Sequence, residues 1–255
     1  MELERNHKKN TRMKRGVLLL GAGYLFFLTS RLWYPAQAEY IEPTPLFEIQ
    51  TYDTYEISVE SWDYSEDQEM MEVYLALENT GILDLELSYE AVERTGGDLP
   101  VVMRLREPEL TVLQIKELPA NWKEVSLRIS GSEKADMLRL YTNVEEVHRV
   151  EEIVDTDRTG YEKEHDRLRV AHNKELIRDK QEEMADLVSE NEKIEKRIRE
   201  LENSLEEQTE EEQAESHGRI EQAQAGIATN KEKITALEEE IKSLEEKNKL
   251  LEGEQ

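Results

Sequence analysis

Three signals in the sequence predict a chain of mixed class: an N-terminal transmembrane helix, an all-β sandwich domain and a C-terminal long α-helical coiled coil. The first signal is an apolar run over residues 16–34 that follows a cluster of basic residues. The second is a period-two alternation of apolar and polar residues over about 47–145, and the third is a heptad pattern over 161–252. Residues 1–15 read as a cytoplasmic basic segment, and 39–46 and 146–160 as linkers.

Composition sets the outer limits. Charged residues make up 36% of the 255 and hydrophobic ones 37%, so much of the chain must lie outside any compact interior. The net charge is -26, and because residues 1–15 carry six Lys or Arg against two Glu (+4), the remainder sums to -30. Such a surface repels phosphate, which excludes nucleic acid as the main partner and leaves cationic ones. There is no cysteine, hence no disulfide, thiolate metal site or cysteine nucleophile.

At the N-terminus, Arg5, Lys8, Lys9, Arg12, Lys14 and Arg15 precede the apolar run from Gly16 to Tyr34. As a helix it would rise roughly 28 Å, about the hydrocarbon thickness, with Arg31 snorkelling and Trp33 and Tyr34 at the interface. The expectation is a single-pass anchor in the lipid bilayer, N-terminus inside and residues 39–255 outside. A secretory signal cleaved after Ala36-Gln37-Ala38 is the alternative.

From residue 47 the alternation suggests strands at 47–51, 55–62, 69–77, 83–92, 101–105, 111–115, 125–129 and 137–141. Turn residues separate them at Asn79-Thr80-Gly81, Thr95-Gly96-Gly97-Asp98, Pro108, Pro119 and Ser130-Gly131-Ser132. Ile57/Val59, Val73/Leu75/Leu77, Leu83/Leu85/Leu87 and Val125/Leu127/Ile129 each share a face. Short antiparallel strands without intervening helix fit a two-sheet sandwich that resembles immunoglobulin or fibronectin domains, with a small barrel as the alternative. Trp62, clustered with Tyr52, Tyr55 and Tyr64, and the isolated Trp122 can be read as a surface for stacking carbohydrate or peptide, or as filling between sheets.

The tail lacks proline from Tyr161 to Glu252 and is rich in Glu, Lys, Gln, Ala and Leu. One heptad register sets Val170, Ile177, Met184, Asn191, Ile198 and Leu205 at a, with Leu187, Ile194, Leu201 and Gln208 at d. A second sets Ile220, Ile227, Ile234, Ile241 and Asn248 at a, with Ala223, Asn230, Leu237, Leu244 and Leu251 at d. The registers differ by one residue across a polar break at 206–219. Ile at a with Leu at d favours a parallel two-chain rod in which Asn191 and Asn248 pair with their own copies. The other arrangement is an antiparallel hairpin turning near Ser216-His217-Gly218. Both demand a partner for the apolar seam, either self or another protein.

Chemistry is sparse. No phosphate loop, His-Glu-x-x-His pair or nucleophile elbow occurs, and no enzymatic activity is expected. His165 and His172, one heptad apart, read as solvated helix residues. The run from Asp155 to Asp166 resembles an EF-hand or dockerin-type calcium loop, with Asp155, Asp157, Thr159 and Asp166 supplying oxygens and Gly160 at the sharp turn. It departs at Thr159 and Lys163, and the competing reading is a helix-capping box of Thr159 with Glu162. Apart from this calcium site no cofactor is implied. The function expected is a membrane-anchored, extracytoplasmic scaffold acting by protein–protein association in a cell-envelope, secretion or conjugation assembly. The alternative is a secreted carbohydrate- or wall-binding module oligomerised by its tail.

Overall fold

Residues 41–82, 85–131 and 136–253 are described by a computed structural model. From Pro43 on they belong to one unit, a two-sheet domain followed by two long helices. The strands are β1 (Gln50–Tyr52), β2 (Tyr55–Ser65), β3 (Met70–Asn79), β4 (Leu87–Glu93), β5 (Gly97–Leu99), β6 (Val101–Arg106), β7 (Leu110–Ile115), β8 (Glu124–Gly131), β9 (Leu138–Asn143) and β10 (His148–Arg149). One sheet runs β1-β2-β3-β7-β6, with β10 parallel to β2, and the other runs β5-β4-β8-β9. In immunoglobulin lettering, β2, β3, β7 and β6 follow the order A-B-E-D and β5, β4, β8 and β9 the order C′-C-F-G. The sandwich is thus present with immunoglobulin strand order, and short β5 and β10 add to the strands read from alternation.

Alternation chose the inner faces. Val73, Leu75 and Leu77 of β3 and Val125, Leu127 and Ile129 of β8 meet between the sheets with Ile57, Val59, Leu113 and Leu140. Leu87 joins them, while Leu83 lies outside the described residues. The β4–β5 turn depends on Glu93, fully buried. Its carboxylate accepts from the Thr95 amide (2.6 Å) and hydroxyl (2.8 Å), the Gly96 amide and the Lys123 amide (3.2 Å). Burial raises its pKa, but these hydrogen bonds outweigh burial and hold it below the usual carboxylate range.

The outer face of the β2-β3-β7 sheet is also buried, which strand alternation alone does not predict. Tyr74, Leu110 and Val112 lie beneath Tyr161 and Leu168 of the first long helix, α1 (Arg158–Ser204). The second, α2 (Glu210–Gly253), runs back along it. At 1.5 Å per residue the 47-residue α1 spans about 70 Å.

The pairing is antiparallel and within the chain. Asn230 Nδ2 donates to Asn191 Oδ1 at 3.0 Å, and Asn173 Nδ2 to Asn248 Oδ1 at 2.8 Å. The pairs sit eighteen residues apart on both helices, five turns at 3.6 residues each, so they share one face. The parallel two-chain rod with self-paired asparagines is therefore corrected: each asparagine finds a different one in the same chain. Val170, Asn191, Ile198, Ile220, Ile227 and Leu237 are buried. Ile177, Met184, Leu187, Ile194, Leu201, Leu205, Ile234, Ile241, Leu244 and Leu251 are partly buried. The turn comes at Leu205–Glu207 rather than near Ser216-His217-Gly218. Thr209 caps α2 there: its amide and hydroxyl both donate to the Glu212 carboxylate at 2.8 Å, and the Glu212 amide donates back to the Thr209 hydroxyl at 3.5 Å, a reciprocal box that starts the second helix. A break at the turn also removes any need for the two heptad registers to be continuous.

The expectation of a transmembrane helix, and with it of single-pass membrane localisation, is overturned. Among the described residues no helix is long and apolar enough to cross a membrane. Both long helices carry charge in nearly every turn, which hydrocarbon does not accommodate. The apolar run over 16–34 on which that expectation rested lies outside the described residues.

Candidate functional site

Strand β2 changes parity along its length. Ile57 and Val59 face the core, and so do Trp62 and Tyr64, although odd and even positions of a regular strand face opposite sides. The register with β3 slips between Val59 and Ser61, leaving Glu60 as the extra residue of a β-bulge. The bulge sets Glu60 against α1. His165 Nδ1 lies 2.5 Å from Glu60 Oε2, and the residues are 8% and 2% exposed. A buried carboxylate needs such a partner, and this pair fixes the base of the hairpin to the sheet.

One heptad further along α1, His172 stacks on Phe47, with ring centroids 4.0 Å apart and planes 4° from parallel. Burial pushes the His172 pKa down, against the opposing effects of Glu175 and Glu60, so the ring is neutral at pH 7 and stacks without desolvating a charge. Phe47 itself has φ +60°, a left-handed conformation that bulky side chains avoid, and its amide is held by the Val59 carbonyl at 2.7 Å. Strain of this kind persists where surrounding contacts over-determine it, and it clusters at functional sites.

These contacts form the wall of a groove of about 1200 Å³ between the sandwich and the hairpin base. Ile49, 61% exposed, lines it from the sandwich side, and Leu250, 69% exposed, from α2. Arg106, Arg169 and Lys247 line it together with Glu56, Glu78 and Glu109. The volume exceeds the roughly 300–1,000 Å³ of small-molecule clefts, and both apolar and charged groups are offered.

The residues singled out in the sequence lie elsewhere. Trp62 and Trp122 are 4% and 2% exposed and fill the sandwich core, where Trp122 meets Tyr64 edge-on at 5.2 Å. Neither ring is available for stacking carbohydrate, so that reading is corrected in favour of space filling. The calcium-loop reading meets a helix instead of a loop. Asp157 is the N-cap of α1, accepting from the Gly160 amide at 2.9 Å, and Thr159 and Asp166 are helical. Asp155 is engaged by Arg104 at 2.5 Å and Gln114 at 2.8 Å. Among the described residues no three His, Asp or Glu side chains are grouped to hold a metal ion. Gly160 is small for a packing reason, since a Cβ there would overlap the Thr156 hydroxyl. The cap is Asp157 with the amide three residues on, rather than a Thr159–Glu162 box. His165 and His172, read as solvated, are the residues that matter at the groove. The available signal was the parity change between Val59 and Trp62, which implies a bulge and hence a re-aimed Glu60.

In comparisons with known proteins, no family model and no curated protein matches the chain. Among solved structures, the filamin domain of Lin-41 is similar at 14% identity and a TM-score of 0.25, covering 41% of this chain and 100% of that one. The assignment of the sandwich rests on the strand order described above.

Proposed function

We propose that this chain is a protein-binding scaffold in which the sandwich and helical hairpin act as one body, and the groove between them receives a segment of a partner protein. The observation that supports this most directly is the convergence of two exposed apolar side chains, Ile49 and Leu250, on one groove with a braced wall. Isolated exposed leucines and isoleucines need no explanation, but two from separate elements flanking one cleft do. The net charge of -26 favours a basic partner by long-range attraction, and the charges around the groove then fix register. In this reading the chain is not an enzyme, and the hairpin serves as a stiff arm of about 70 Å.

The test is a photo-crosslinking side chain introduced in place of Ile49 or Leu250, with Val188 and Ile82 as exposed apolar controls away from the groove. The same crosslinked species from both groove positions and none from the controls is expected. Equal labelling at all four positions, or none at the groove, removes the proposal.

A further inference from the structure

Between the sandwich and α1 the chain is laid as a strap over residues 150–157. The Val150 amide donates to Tyr64 O at 2.9 Å, the Ile153 amide to Gln68 Oε1 at 2.6 Å, and Ser65 Oγ to Glu151 O at 2.9 Å. Its last turn before the helix presents Asp155 to the outer face of the sheet, where Arg104 Nη2 meets one carboxylate oxygen. Gln114 Nε2 donates at once to Asp155 Oδ1 (2.8 Å) and Glu72 Oε2 (2.9 Å). One amide nitrogen thus holds two carboxyl groups, so they can be no further apart than two hydrogen bonds end to end.

Glu72 is 7% exposed and sits in an acidic row. Directly across the strand pair from it is Asp63, itself bound by His148 Nδ1 at 2.6 Å. The groups facing Glu72 are Asp63 from β2, Gln114 from β7, Arg104 from β6 and Asp155 from the strap, with Tyr74 on its own strand. Like charges opposite one another in a sheet are destabilising, and Arg104 is already committed to Asp155.

We propose that the strap is a proton-gated joint: it lies closed on the sheet while Glu72 carries a proton, and loss of that proton loosens the strap and with it the attachment of the hairpin. The chemistry supports this. Burial, with Asp63 and Asp155 adding to it and Gln114 and Arg104 opposing it, raises the Glu72 pKa to about 7 from the ordinary 4.5. A group with a raised value in the closed form contributes closure that is complete below pH 4.5 and is lost as the pH rises through about 7. If Glu72 regains its ordinary pKa on opening, the open fraction grows about tenfold between pH 6 and pH 8. The joint works in this way whatever occupies the groove.

The experiment uses the full chain. Amide exchange is measured over residues 150–157 at pH 6 and pH 8, corrected for intrinsic exchange, alongside the carboxyl carbon resonance of Glu72. Expected are a fall in strap protection of about tenfold, a Glu72 midpoint near 7, and a pH-independent strap in Glu72→Gln. Unchanged protection in the parent chain, a Glu72 midpoint below 5, or a Glu72→Gln variant that keeps the full pH response would each overturn the proposal. The resonance is read on the parent chain, so the test survives a variant that fails to fold.

Discussion

Replacing His165 with leucine probes the attachment of hairpin to sandwich most directly. Glu60 is 2% exposed and His165 Nδ1 lies 2.5 Å from its carboxylate. His165→Leu leaves that carboxylate buried without its partner, and breaking a buried pair in this way costs about 3–5 kcal/mol. Three kcal/mol lowers the folded-to-unfolded ratio by about 150-fold. Removing both groups with Glu60→Leu and His165→Leu together takes away the stranded charge, so the double variant should lose much less than the sum of the singles. A coupling of about 0.5–3 kcal/mol is expected for residues in direct contact. The assay is urea unfolding at pH 7 followed by tryptophan fluorescence, to which the core Trp62 and Trp122 contribute, and by ellipticity at 222 nm for the helices. A cost under about 1 kcal/mol for His165→Leu, or strict additivity in the double variant, refutes the assignment of a structural latch.

Three further predictions follow from single features. Since the chain has no cysteine, Asn191→Cys with Asn230→Cys tests the hairpin cleanly. Oxidation should give a cross-link within one chain on a non-reducing gel, whereas a parallel rod would separate the positions by about 58 Å and yield linked dimers. Gly97 has φ +85° with nothing within 4 Å of a Cβ, so Gly97→Ala should cost about 1–2 kcal/mol of backbone strain alone, read as a drop in Tm. Glu93 has its pKa held down in the fold, so its contribution is present above the ordinary 4.5 and is lost as the pH falls through the lower folded value. Glu93→Gln should therefore cost about 1.5–3 kcal/mol at pH 7, and the gap should narrow at pH 3 in parallel unfolding titrations. A gap of equal size at both pH values would show that the carboxylate charge contributes nothing.

Local periodicity carried much of the architecture. The inner faces of β3 and β8 could be read because every second residue meets the same environment, and the helical tail because seam residues recur every three or four. The asparagines at heptad positions were likewise visible as polar interruptions of an apolar seam. Their partners were not, because a heptad pattern states that a helix needs a neighbour without stating which one. The turn that decided it depended on Thr209 and Glu212, a four-residue capping box inside a stretch so rich in glutamate that it carried no contrast.

The groove was hidden for a different reason. Phe47, Glu60 and His172 are unremarkable where they stand in the chain, and their roles arise from contacts between residues more than a hundred positions apart. A bulge turns Glu60 out of the alternation, a left-handed Phe47 reaches a helix, and of two histidines of apparently solvated spacing one becomes buried and the other stacks half-buried on Phe47. The calcium-like run failed by the same logic, since Asp155 and Asp157 carry suitable oxygens but Asp157 caps the helix that begins at Arg158 and Asp155 is held by Arg104 and Gln114. What the sequence determined by itself was which faces seek burial, since that depends on side-chain chemistry at short range. Tertiary structure alone decided which face meets which, because chain reversal and the bulge set geometry that no local pattern encodes.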